Sequence, residues 1–146
     1  MSVHVFAYGV LAFDDIVQAI TGHIYDTEDA VLPDFRRYGL PHPGGKTYAA
    51  IDAHPGHDVQ GRLIRNVTLQ DLELFDRVEE LKTGYYVRQR VRVRVADQDC
   101  DAYAYLVGPT RRHTLAGDWV PAAFGPEEVQ TFIDQDLPRI LHPFPC

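Results

Sequence analysis

At 146 residues, with 45% hydrophobic and 24% charged side chains, the chain is the size of one ordinary domain able to close a core. A net charge of −7 speaks against nucleic acid as the main partner, because phosphate-backbone binding needs a basic footprint. No apolar run reaches the roughly 18 residues of a membrane span, Met1 to Val5 lacks the basic flank of a signal peptide, and Cys100 and Cys146 share no metal or redox spacing; a cytoplasmic protein with no membrane partner is expected.

Nothing repeats internally and no linker interrupts the chain, so it reads as a single domain over 1–146. Val3 to Tyr8 is rich in β-formers and predicts a strand that stops at Gly9. A short helix is expected next, with Asp14 as N-cap, Ile16, Val17 and Ile20 as its apolar side, and Gly22 beyond its end. Ala30 to Leu32, Phe35 to Tyr38, Tyr48 to Ile51 and Val59 to Ile64 predict short strands, punctuated by Pro41, Pro43, Gly44, Gly45, Pro55 and Gly56. Thr68, with Asp71 three positions on, opens a second helix whose stripe runs Leu69, Leu72, Phe75, Val78 and Glu79. Tyr85 to Val95 predicts a strand with Val87, Val91, Val93 and Val95 on one face and Arg88, Arg90, Arg92 and Arg94 on the other. Asp101 to Val107, apolar on both faces, predicts a central strand. A last helix starts at Gly125-Pro126, turns Val129, Phe132 and Ile133 inward, and stops at Pro138. Short strands with a few helices between them predict an α+β fold around a mixed, strongly curved or barrel-like sheet.

Glu79 stands out among the charged residues. It continues the buried stripe, whereas Glu73, Asp76 and Glu80 are expected on the outer side. Desolvation, the negative end of the helix and the neighbouring carboxylates would all raise its pKa, as suits a general base that later acts as acid. The plainer alternative is that the helix has ended and Glu79 is solvated. Tyr8-Gly9-Val10-Leu11, a turn between strand and helix, could present N–H groups to an anion. Asp52-Ala53-His54-Pro55-Gly56-His57-Asp58 reads as a turn, because no third metal ligand is fixed by its spacing.

These segments also carry a resemblance. Tyr8-Gly9-Val10-Leu11 is similar to the Tyr-Gly-Thr/Ser-Leu motif of the gamma-glutamylcyclotransferase-like superfamily, in its avirulence-induced-gene-like branch. In the family's order follow Thr21-Gly22-His23, Ala30-Val31-Leu32-Pro33-Asp34-Phe35-Arg36-Arg37-Tyr38, Tyr48-Ala49-Ala50-Ile51, Val59-Gln60-Gly61-Arg62-Leu63, Phe75-Asp76-Arg77-Val78-Glu79, Tyr86-Val87-Arg88 and Ala104-Tyr105-Leu106-Val107. The series covers about 3–108 and leaves 109–146 as a C-terminal extension with one helix. Val10 replaces a small hydroxyl residue, Ala49 replaces a proline, and Glu80 stands where the family often has glycine.

The resemblance implies a reaction without cofactor or metal, in which a gamma-glutamyl amide closes to 5-oxoproline and expels an amine. It places Glu79 as acid/base, the backbone of Gly9, Val10 and Leu11 at the substrate, and Tyr8, Tyr86 and Arg88 as pocket donors. Strict alternation puts Tyr86 and Arg88 on the arginine face, so either that face lines the pocket at its start or a bulge after Gly84 re-aims Tyr86. The implied partner is a small gamma-glutamyl compound; an exposed edge strand would also permit a homodimer. A non-catalytic scaffold of the same fold, or acyl transfer or hydrolysis on another gamma-glutamyl-like amide, are the competing functions. A Glu79 that enters a pocket opposite the Gly9 to Leu11 amides favours an enzyme; a solvated Glu79 favours a scaffold.

Overall fold

A long hairpin organises the molecule. In the computed structural model, which describes residues 1–141, the four short strands predicted between Ala30 and Ile64 are two long ones, β2 (Thr27–Pro41) and β3 (Thr47–Thr68). Pro33, Pro55 and Gly56 do not end them; their disruption is absorbed by one irregularity. There the pairing passes from Pro33↔Asp58 to Phe35↔Ala53, so 54–57 loop out of β3. Asp34 takes the left-handed conformation opposite, at φ 65°, and its carboxylate accepts the Gly56 N–H at 3.0 Å.

The remaining elements are β1 (Ser2–Ala7), α1 (Asp14–Thr21), α2 (Leu69–Val78), β4 (Tyr86–Val95), β5 (Gln98–Val107), β6 (Ala116–Asp118), α3 (Pro126–Thr131) and α4 (Leu137–Leu141). Antiparallel pairings join β1 to β3, β3 to β2, β2 to β4 and β4 to β5, and a parallel contact of Val5 with Tyr103 returns β5 to β1. The strongly curved sheet therefore closes on itself, with β6 added along β2. Phe6, Leu32, Ile51, Leu63, Val91, Val93, Val95 and Leu106 fill its inside. A second core lies between the outer face and the helices, built from Ile16, Val17, Leu72, Phe75, Val78, Tyr105, Val107 and Phe132. β5 serves both cores from Ala102 onward, as expected of a strand with two apolar faces.

Local details correct several expectations. Phe13, not Asp14, is the N-cap of α1; Asp14 occupies the first turn. Thr68 does cap α2, its hydroxyl accepting the Asp71 N–H at 3.1 Å, but Leu69 is exposed because it precedes the buried stripe. Val87 is exposed as well, since the start of β4 lies beyond the barrel interior that holds Val91, Val93 and Val95. Pro138 does not stop the last helix. A π-helical turn, Phe132–Asp136, widens the backbone just before it and lets α4 continue through a residue with no N–H. Among the described residues after 108, the chain thus holds a short strand and a two-part helix where one helix was expected. Cys100 is a free thiol, and Cys146 lies outside the described residues.

One glycine is fixed by close approach. Gly108 ends β5 against the turn before β4, where an added Cβ would come within 1.7 Å of the Gly84 carbonyl oxygen. Gly108→Ala is expected to cost about 3 kcal/mol by overpacking backbone against backbone. Urea denaturation checks it, and an unshifted midpoint would contradict this contact.

Candidate active site

α2 ends at Val78, and Glu79 is its C-cap residue, with the Glu79 N–H on the Phe75 carbonyl at 2.8 Å. Both sequence alternatives were thus partly right. The helix has stopped, yet Glu79 turns its carboxyl into a cavity of about 50 Å³ shared with Phe6, Tyr8, Gly9, Val10, Leu11 and Tyr86. The residue is only half-shielded, but its carboxyl is densely surrounded by protein. That desolvation raises its pKa to about 8, with Glu80 and Asp76 adding like charge in the same direction.

Asp76 and Glu80 do not lie on a solvated outer face as expected. Asp76 accepts the Tyr105 hydroxyl at 2.7 Å and a contact from Arg88. Glu80 lines the cavity in the left-handed conformation, φ 52° and ψ 50°. This is the position after a helix C-cap at which glycine is free of strain. This chain accepts the strain there and gains a second carboxyl beside the first.

The loop after β1 lines the same cavity. The Ala12 and Phe13 N–H groups close its turn on the Gly9 and Val10 carbonyls at 3.0 and 3.2 Å. Among the described residues, none of the turn's hydrogen bonds uses the N–H groups of Gly9, Val10 or Leu11. Gly9 is packed so closely that an added Cβ would sit 3.0 Å from that of Ala49.

Tyr8 and Tyr86 line the same cavity, but not as the donors expected. The Tyr8 O–H is given to the Tyr105 carbonyl and the Tyr86 O–H to the Ala49 carbonyl, the latter at 2.8 Å. Only their oxygen lone pairs are left for a ligand. With Glu79, they bring acceptors to a cavity that Gly9, Val10 and Leu11 also line.

The register of β4 on β5 is unbroken from Tyr86↔Val107 to Val95↔Gln98, so no bulge re-aims Tyr86. The arginine face itself lines the cavity at its start and becomes solvated further along. Arg88 is outside the cavity: it holds Asp76 and lies over the Tyr103 ring, 5.0 Å from its centroid. Arg90 pairs with Asp101 at 2.9 Å across the hairpin, and Arg94 reaches Asp99 at 3.7 Å.

Several residues of the site gave no signal in the sequence. His42 sits in the turn between β2 and β3, stacked on Tyr85 with centroids 4.5 Å apart and edge-on to Tyr48 at 4.9 Å. Burial, then the Arg111 charge, lowers its pKa to about 4, so the imidazole is neutral. Phe132, expected on the inward side of the last helix, and Ile140, which gave no signal, also line the cavity. Past His42, Tyr48 and Glu80 the cavity meets a vestibule of about 730 Å³, also lined by Lys46, Lys82, Asp136 and Arg139. Asp136 is buried there. Burial would raise its pKa, but hydrogen bonds from Lys46, Tyr48 and Arg139 outweigh it and hold the group below the ordinary carboxylate range.

Elsewhere, His54 and His57 approach to 3.9 Å between ring centroids in the β3 irregularity, and no cluster of three ligand groups gathers there or anywhere among the described residues. Trp119 packs in the barrel core with Phe124, 6.0 Å away, and His113 is exposed. No helix among the described residues is long and apolar enough to cross a membrane.

Comparisons with known proteins bear on the family and the fold. Residues 5–121 match the family described as Gamma-glutamyl cyclotransferase, AIG2-like, a span that runs past the motif series ending near 108. AIG2-like protein D of Arabidopsis thaliana is 33% identical over 118 residues, covering 79% of this chain and 74% of its own. A solved gamma-glutamyl cyclotransferase superposes with a TM-score of 0.68 at 21% identity, over 80% of this chain and 70% of that one. An AIG2-like protein of Mus musculus gives 0.59 at 18% identity, over 86% and 92%. At such identities the structures speak for the fold, and the sequence match carries the family. The chain belongs to the Gamma-glutamyl cyclotransferase, AIG2-like family.

Proposed function

We propose that the protein is a gamma-glutamyl cyclotransferase acting on a small gamma-glutamyl amide in the cytoplasm. The observation that carries this reading is the enclosed Glu79 carboxyl, with its pKa raised to about 8, sharing one cavity with a loop whose turn leaves the Gly9, Val10 and Leu11 N–H groups unused. A γ-glutamyl group bears an α-ammonium, an α-carboxylate and a γ-carbonyl, and the cavity's lining matches them. Glu79 and the phenol oxygens of Tyr8 and Tyr86 suit the ammonium; the amides of Gly9, Val10 and Leu11 suit the carboxylate or the developing oxyanion.

Ionised Glu79 takes a proton from the α-ammonium. The freed nitrogen attacks the γ-carbonyl carbon, forming the ring C–N bond. Glu79 then returns the proton to the departing nitrogen as the amide C–N bond breaks, and takes the second proton from the ring nitrogen, giving 5-oxoproline; the released amine carries that second proton off as its ammonium and leaves Glu79 ionised again. Every proton is accounted for by one carboxyl, so the step calls on no metal or cofactor. Because nucleophile and electrophile share one molecule, holding the substrate folded supplies much of the rate. Arg88 and Tyr105 take part through Asp76, which they hold beside Glu79.

A 5-oxoproline release assay over γ-glutamyl amino acids and γ-glutamyl amines tests the reading. Release from at least one amide is expected. Release of free glutamate would indicate hydrolysis, and failure of the whole panel would favour the scaffold.

A further inference from the structure

The neck between cavity and vestibule has a chemistry of its own. His42 and Glu80 border both spaces, and the departing amine must leave between them. Tyr86 gives its O–H to the Ala49 carbonyl, so it meets His42 Nε2, 3.4 Å away, as an acceptor. That contact places the imidazole hydrogen on Nε2 and leaves a lone pair on Nδ1. Nδ1 in turn lies 3.8 Å from a Glu80 carboxyl oxygen, too far for a hydrogen bond. Two acceptors at that spacing are each within reach, at about 2.9 Å, of a single nitrogen carrying two hydrogens placed between them.

The ring is fixed in this orientation. Its side chain is 10% exposed; it stacks on Tyr85 at an interplanar angle of 16°, and the Arg111 guanidinium lies over the same Tyr85 ring, 4.0 Å from its centroid. Two groups so close to one ring centroid occupy opposite faces, so Tyr85 is held between them. Burial, with the Arg111 charge adding to it, keeps the imidazole neutral, an acceptor and not a cation.

We infer that His42 is a specificity-determining residue that, with Glu80, binds the departing nitrogen and selects γ-glutamyl amides of primary amines. The inference rests on the cyclotransferase reading. The intact amide of a primary amine has one N–H, whereas the released amine has two. The pair therefore binds the departing group more fully than the substrate, which is the condition for an interaction to raise the rate. An N-methylated amide has no N–H to offer and leaves an amine with one. No bond is made to His42, and the proton balance of the reaction is unchanged.

The test compares kcat/KM for the γ-glutamyl amide of a primary amine with that of its N-methyl counterpart. The wild type is expected to favour the former at least about tenfold, the worth of one to two neutral hydrogen bonds. His42→Phe keeps the stack on Tyr85 but has no lone pair, and its preference should collapse to within about threefold. His42→Asn can place an oxygen near the Nδ1 position and should keep most of it. Equal preference in wild type and His42→Phe would overturn the inference while leaving the cyclotransferase intact; no 5-oxoproline from any amide would remove both. Imidazole ¹⁵N shifts of the wild type decide independently of any variant: a hydrogen on Nε2 is expected, and a hydrogen on Nδ1 would overturn it.

Discussion

Glu79→Gln is expected to release 5-oxoproline about 10³-fold more slowly than the wild type while keeping its fold. Gln has the size of Glu and can occupy the same end of α2, where the backbone N–H on the Phe75 carbonyl is untouched. What it removes is the carboxyl that, in this reading, carries a proton both ways. Tyr8 and Tyr86 cannot substitute, because burial raises both phenols far above their ordinary range and their hydrogens are held by main-chain carbonyls. Glu80 faces the neck between cavity and vestibule. General acid–base catalysis contributes roughly 10²–10⁴-fold, which sets the scale. Chromatographic quantification of 5-oxoproline, with circular dichroism as the control for folding, checks it. A loss of less than about tenfold with an intact fold would remove Glu79 from the chemistry.

The same carboxyl should make stability and activity move in opposite directions with pH. Its pKa is about 8 in the folded chain against an ordinary 4.5. Between these values the folded state keeps a proton that the unfolded chain has lost. Its stabilising contribution is complete below about pH 4.5 and disappears as pH rises to about 8. Wild type should therefore lose on the order of 3–5 kcal/mol relative to Glu79→Gln between the two ends of that window. Urea unfolding of both proteins at pH 5 and pH 8.5 measures the difference, and a difference independent of pH would contradict the shift. Catalysis needs the ionised form, so kcat/KM should rise through about pH 8. In the bound complex the substrate's ammonium favours the carboxylate, and the limb in kcat should lie lower.

How much of this was legible in the sequence depended on whether a signal was local. The stripe Leu72, Phe75, Val78 led to Glu79 because three- and four-residue spacing on a helix is a local property, and it pointed inward even though the helix stops at Val78. The loop at Gly9 was legible for the same reason. Asp76 was misplaced because its inward turn is decided by Tyr105 and Arg88, partners from β5 and β4. Glu80 was misplaced because a left-handed residue re-aims the chain, and a non-glycine in that state carries no mark in a periodicity. His42 was hidden in a Pro- and Gly-rich turn, which read as punctuation; only the closure of the long hairpin brings it over Tyr85 and Tyr86. The merging of four short strands into two had the same origin. Proline and glycine mark a break in local geometry, and the 54–57 loop-out with Asp34 opposite lets the pairing continue around it.

The central claim is that Glu79 carries the proton, and the pH dependence of kcat/KM for 5-oxoproline release, measured side by side on wild type and Glu79→Gln, tests it most directly. The wild type should show a rising limb near pH 8, and the residual activity of the variant should lack it. A limb that survives the substitution would belong to the substrate's own amine or to another group, and would contradict the assignment.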